Sequence, residues 1–238
     1  MKFRYHNIRM ILILGLIGFL MGFSVQRNER RAVKHLSVTF VSNDQPFMTL
    51  DTVNKLLIQN ADTLLTTPKE TLVLKEMEAR LLLHPMVRDA QVFVTIDGVV
   101  GAKVEQRKPI ARIWAATSFY LDQDGLPMPL SPLYAARVPL VTGSAELYLG
   151  EVHELIMSIN QDPFMAQRLV NIAVGADGEM VLELREADFD IILGPVERVE
   201  EKLKNFKAFY QKLVQTEEFK GYRIIDLRYN NQVVATKQ

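Results

Sequence analysis

Residues 84–111 read HPMVRDAQVFVTIDGVVGAKVEQRKPIA, and they decide how the middle of the chain folds. Val87 to Thr95 and Val99 to Arg107 alternate between apolar and polar residues, the period of a strand with one buried face. Between them Asp97-Gly98 is a dipeptide that accepts positive φ, so the two strands form a hairpin. Upstream, His84-Pro85 closes a helix, because proline disfavours the helical conformation in the residue before it. That helix runs from about Leu72 to Leu83 with Leu74, Met77 and Leu81 on one side. An earlier helix covers Thr49 to Gln59, where Leu50, Val53, Leu56 and Leu57 share a face. A turn containing Asn43, Asp44 and Pro46 separates it from Leu36 to Val41, LSVTFV, which alternates as a strand. The order strand, helix, helix, strand, strand predicts a three-stranded sheet with two helices on one face.

Downstream the pattern changes to short strands and proline. Pro109 to Trp114, Ser118 to Leu121 and Val138 to Thr142 are expected strands, with a turn at Asp122 to Gly125 and a proline-rich loop through Pro127, Pro129 and Pro132. A helix is expected from about Leu149 to Asn160, then a short helical turn around Phe164 to Gln167 capped by Asp162-Pro163. Strands follow at Val170 to Val174, Met180 to Arg185 and Asp190 to Leu193. Gly194-Pro195 opens the clearest helix. Val196, Val199, Leu203, Phe206, Tyr210 and Leu213 form its apolar stripe, with glutamates early and lysines behind them as the helix dipole favours. Two strands close the chain, Tyr222 to Arg228 and Gln232 to Thr236, around Asn230-Asn231. The fold class is α+β.

The N-terminus is of another kind. From Met10 to Val25 sixteen residues carry no charge, between Arg9 and Arg27. With Ile8 and a snorkelling Arg9 the helix is about 27 Å long, near the roughly 30 Å of a hydrocarbon core. A cleaved signal peptide is the competing reading, through Gly22-Phe23-Ser24, but that triplet lies inside the apolar run, so an uncleaved anchor at 10–25 behind a tail at 1–9 is preferred. Basic residues flank both sides, so charge alone does not orient it. The chain is 48% hydrophobic and 24% charged with zero net charge, yet residues 1–34 carry +6 and the remainder −6. A net acidic body argues against nucleic acid as a partner. Cysteine is absent, which excludes disulfides, thiolate metal sites and thiol nucleophiles.

Catalytic patterns are missing as well. His6, His35, His84 and His153 have no metal-ligand spacing: His153-Glu154 starts like HExxH, but position 157 is methionine. Asp122, Asp124 and Gly125 suggest a calcium loop until the twelfth position, Leu133, supplies no carboxylate. Glu200-Glu201 are neighbours on a helix and do not share a face. There is no phosphate-binding glycine loop and no nucleophile elbow. The expectation is a protein that is not an enzyme, with no cofactor, metal or small-molecule substrate, which leaves binding. The last strands offer a surface: a sheet edge has unpaired N–H and C=O groups that a partner strand completes. Tyr222 and Tyr229 would add aromatic anchors, Arg223 and Arg228 donors for carboxylates, and Gln232, Val233 and Val234 the strand itself. From the residues alone, Tyr229 fits a core position as well as an interface.

Several segments resemble the FtsQ/DivIB family. His84-Pro85 with Val87, Ala90 and Val92 is similar to its helix-to-strand junction. Val104-Glu105-Gln106-Arg107-Lys108-Pro109-Ile110-Ala111 resembles its "V.ERkPia" segment, with Gln106 where glutamate is usual. Tyr120-Leu121-Asp122 with Gly125, Val138 to Gly143, and Asp226-Leu227-Arg228-Tyr229 resemble three further motifs in the family's order. The resemblance implies a POTRA domain at 35–107 and a β domain at 108–238. It also implies a single-pass inner-membrane protein, N-terminus inside and folded domains periplasmic at the division septum. Its role would be a scaffold for FtsB, FtsL and, further, proteins of septal peptidoglycan synthesis, and Tyr229 would lie at the interface. The rival reading is a POTRA-containing envelope enzyme or a secretion or outer-membrane assembly accessory.

Overall fold

The computed structural model describes residues 2–29, 35–41, 47–58, 74–185, 187–216 and 221–237, with side chains of the first helix from Ile8 to Ser24. The chain divides into two units, Met1–Gln106 and Arg107–Gln238. The first begins with helix α1, Lys2–Glu29, which includes the whole expected anchor. Every large apolar side chain from Ile8 to Phe23 is more than half exposed, so this helix has no core to bury into. Among the described residues no helix is long and apolar enough to cross a membrane.

The rest of the first unit carries β1 (His35–Phe40), α2 (Leu50–Leu57), α3 (Leu74–Leu82), β2 (Val87–Val94) and β3 (Val99–Gln106). The expected turn at Asn43 to Pro46 and the expected helix start near Leu72 lie outside the described residues, and α2 ends at Leu57 with an extended Ile58. The strands form one sheet in the order β1-β3-β2, with β1 parallel to β3 and β2 antiparallel to it. Two helices intervene between β1 and the hairpin, which is what a parallel connection requires. The helices bury Val53, Leu57, Met77 and Leu81, and the strands contribute Ala90, Val92, Val100, Ala102 and Val104. Thr49 caps α2 by accepting from the Thr52 N–H at 3.1 Å. His84 Nδ1 accepts from Met86 N–H at 3.3 Å in the bend after α3, and burial lowers its pKa. Gln106, the departure noted in sequence, accepts the N–H groups of Phe47 and Met48 at 2.9 and 3.2 Å, so a neutral amide receives two backbone donors at the entry to α2.

The second unit is built on a nine-stranded mixed sheet. Its strands are β4 (Pro109–Ile113), β5 (Phe119–Asp122), β6 (Pro127–Pro129), β7 (Leu140–Gly143), β8 (Leu169–Val174), β9 (Met180–Leu184), β10 (Asp190–Gly194), β11 (Tyr222–Asp226) and β12 (Val234–Lys237). They lie in the order β12-β11-β10-β9-β8-β7-β4-β5-β6. Three neighbouring pairs are parallel: β4 with β7, β7 with β8, and β10 with β11. Helices α4 (Leu149–Asn160) and α5 (Pro163–Ala166) connect β7 to β8, and α6 (Val199–Thr216) connects β10 to β11. Val152, Leu155, Ile156 and Ile159 of α4 and Val199, Leu203, Phe206 and Leu213 of α6 join Ile172, Leu182, Ile191 and Ile225 of the sheet in one core. The helices are tied to each other as well. Phe164 meets Tyr210 edge to face at 5.0 Å, and Lys207 donates to Asp162. Burial alone would push the Asp162 carboxyl up, but Lys207 and the N–H groups of Met165 and Phe164 outweigh it, leaving its pKa lowered.

Four expectations need correction. The closing strand runs Val234–Lys237, so Gln232 and Val233, expected within it, lie in the bend before it. The loop through Pro127 and Pro129 is a strand, β6, because its one central residue, Met128, is fully buried and pairs with Tyr120. The clearest helix starts at Val199, not just after Gly194-Pro195: Glu197 N–H turns back to the Pro195 carbonyl, and Arg198 takes φ of 49°, which interrupts the helical path. The strand from Tyr222 ends at Asp226, since the Arg228 N–H turns to the Asp226 side chain. One glycine is dictated by space. At the end of β7, Gly143 has φ of +78°, and a Cβ there would stand 2.2 Å from the Val174 carbonyl oxygen.

Candidate functional site

Among the described residues the nine-stranded sheet ends on β6 and β12, and backbone parity makes these edges chemically different. At the β6 edge, Asp122 N–H donates to the Leu126 carbonyl, which sets Asp122 and Tyr120 facing β6. Met128 therefore exchanges its bonds with Tyr120, and residues 127 and 129 face outward. Both are proline. The outward positions of that edge offer no N–H donor, the usual way of blunting a strand against pairing.

The β12 edge is open. Leu227 N–H donates to the Ile192 carbonyl at 2.8 Å, so Leu227 and Ile225 face β10 and the even residues of β11 face β12. Val234 pairs with Asp226 and Thr236 with Ile224, which directs their backbone groups inward. Ala235, opposite Ile225, points its N–H and C=O away from the sheet. An extended segment laid along β12 would meet these groups first.

The side chains expected around this edge divide into two sets. Tyr229 is 53% exposed and Val234 41%, and Gln232 is exposed beside them. Arg223 is exposed on β11. The others work within the domain. Val233 is half-buried against the core. Tyr222 packs edge to face on Phe209 at 5.6 Å, with Lys237 Nζ 5.5 Å above its ring. Arg228 is held by Asp226 through Nε at 3.1 Å and Nη2 at 2.7 Å, and its Nη1 reaches Glu179 at 3.1 Å. The Arg228 hydrogen bonds hold the Asp226 carboxyl below its ordinary pKa. The Arg228 stem lies across Gly194, where a Cβ would stand 2.6 Å from Cγ, and Gly194 has φ of +72°. Nearby, buried Lys202 donates to the Leu193 and Pro195 carbonyls at 2.9 and 2.8 Å, and burial lowers its pKa. This cluster fixes the end of β11 and the bend at 229–233, and with them the path into β12.

Sequence reading missed Glu179, Lys202 and Ala235. Asp226 and Arg228 two apart in an extended run share a face, a pairing signal present in the sequence. Nothing local marks Glu179, forty-nine residues away in sequence. Among the described residues no group of His, Asp and Glu is placed to hold a metal ion. Ion pairs around Arg228 and the strand edge at β12 are what this region presents.

Residues 108–236 match the family model described as FtsQ/DivIB, C-terminal related, a range that begins where the second unit begins. The chain is also 31% identical over 176 residues to the cell division protein FtsQ of Rhodothermus marinus, across 67% of this chain and 63% of that protein. The match thus spans less than two thirds of the relative's length. The family match takes in most of the second unit, from β4 into β12, and the chain belongs to the FtsQ/DivIB family.

Proposed function

We propose that this protein is a non-enzymatic scaffold of cell division that receives an extended segment of a partner protein on β12. The observation that carries the reading is the asymmetry of the sheet: one edge has proline at both outward positions, and the other directs the Ala235 backbone outward beside exposed Tyr229 and Val234. Membership of the FtsQ/DivIB family supports the cellular role, since the curated relative is named a cell division protein. The partners are membrane proteins of the FtsB and FtsL type, together with proteins of septal peptidoglycan synthesis. In this reading residues 35–107 act as a POTRA domain and residues 108–238 as the partner-binding β domain.

The same proposal places α1 in the inner membrane, with the N-terminus inside and both folded units in the periplasm at the septum. Its support is the continuous exposed apolar surface from Ile8 to Phe23, which none of the described residues covers. A reporter active only outside the cytoplasm, fused after Gln238, is expected to be active. A fluorescent fusion is expected to concentrate at the septum, and an inactive reporter or an evenly spread signal with normal division after depletion would overturn the role.

At the interface, Tyr229→Ala is expected to weaken capture of FtsB and FtsL by roughly thirtyfold, about 2 kcal/mol, as for a hot-spot tyrosine. Because Tyr229 is more than half exposed, the melting temperature should stay close to wild type. Unchanged capture would place Tyr229 outside the interface.

A further inference from the structure

Among the described residues the sheet of the first unit ends on β2, and one donor on that edge is already taken. Thr95 N–H pairs with the Val99 carbonyl at 2.9 Å, so Thr95, Phe93 and Gln91 face β3 by alternation. The N–H groups of Ala90, Val92 and Val94 therefore point away from the sheet. Val92 N–H donates to Glu78 Oε2 of α3 at 3.1 Å. Glu78 follows buried Met77 and precedes buried Leu81 by three, so the packing that holds α3 against the sheet also fixes this carboxylate on the strand edge. It occupies the place where an added strand would set its own carbonyl oxygen.

We propose that Glu78 guards the β2 edge against pairing with β2 of a second copy of this chain, and that opening the guard creates a self-association surface. A second copy fits for two reasons. The strand, VRDAQVFV, balances Arg88 against Asp89, so it carries no net charge to repel itself in a two-fold antiparallel pair. In such a pair about the middle of β2 the two Glu78 carboxylates would approach each other, so the guard opposes this partner by like charge as well as by occupying the donor. An eight-residue strand pair also falls well short of the roughly 1,200 Å² of a stable interface, so the association is weak and responds to concentration.

The test is sedimentation of the full chain in detergent over a hundredfold concentration range, with amide exchange at Val92. Wild type is expected to keep one mass throughout. Glu78→Ala should shift toward twice the wild-type mass at the upper end. Its Val92 amide should exchange at least tenfold faster when dilute and regain protection when concentrated. Glu78→Gln keeps an acceptor oxygen without the charge and should lie between the two. Glu78→Ala combined with Ala90→Pro removes an outward donor and should return the chain to the wild-type mass. The proposal is overturned if Glu78→Ala keeps the wild-type mass, if its association survives Ala90→Pro, or if association comes only with loss of the native circular dichroism spectrum.

Discussion

Replacing Arg107 with methionine is expected to destabilise the second unit by about 3 kcal/mol or more, the cost of leaving a buried carboxylate without its cation. Asp122 is fully buried, and Arg107 Nη1 reaches its Oδ2 at 2.6 Å. The other carboxylate oxygen accepts the N–H groups of Asp124 and Leu126 at 3.0 and 2.8 Å, which builds the turn between β5 and β6. Arg107 stands at the first position of the unit, so this pair ties the incoming chain to that hairpin. Asp122→Asn keeps an acceptor for the turn and removes the buried charge, so the double variant Arg107→Met with Asp122→Asn should recover part of the loss. Trp114, the only tryptophan, lies in the second unit, and its fluorescence during urea unfolding reports that unit. A change under about 0.5 kcal/mol in Arg107→Met would show that water replaces the guanidinium without penalty.

Two prolines one residue apart should have opposite consequences on β12. Ala235→Pro removes an outward donor and projects a ring where a partner strand would lie. Capture of FtsB and FtsL should fall about a hundredfold, roughly 3 kcal/mol, while the domain stays folded as edge strands with proline do. Thr236→Pro removes a donor that faces Ile224 in the ladder with β11, so it should lower the melting temperature as well as binding. Equal capture by Ala235→Pro and wild type would mean that partners do not add to this edge. Equal melting temperatures for the two variants would contradict the assigned parity.

The two helices of the second unit show what a sequence can and cannot reveal. Leu149 to Asn160 is legible at both ends because Val152, Leu155, Ile156 and Ile159 repeat at helical spacing up to the turn before Asp162-Pro163. The stripe of α6 is equally plain, but its start is not: Val196 continues the spacing, while the left-handed Arg198 belongs to a bend that Lys202 ties to the Leu193 and Pro195 carbonyls. Strand order is beyond local reading altogether. The parallel neighbours of β7 arise because β5 and β6 fold out on the far side of β4. At the candidate site, the strand character around Val234 followed from pattern, but the exposure of Tyr229 did not, since its residue type fits a core position as well as a surface. The engagement of Arg228 did not, because Glu179 reaches it from the turn before β9.

The two prolines of β6 bear on more than that strand. In the language of polymer growth, a sheet with two open edges is a bifunctional monomer, and each addition exposes a new site for the next. The second unit is monofunctional: a segment joining β12 finds no complementary edge on the same sheet to continue the chain of additions. If partners add to β12 as proposed, growth of the sheet can proceed from that side alone. Losing Pro127 and Pro129 would restore outward donors at β6 and open a second direction of growth.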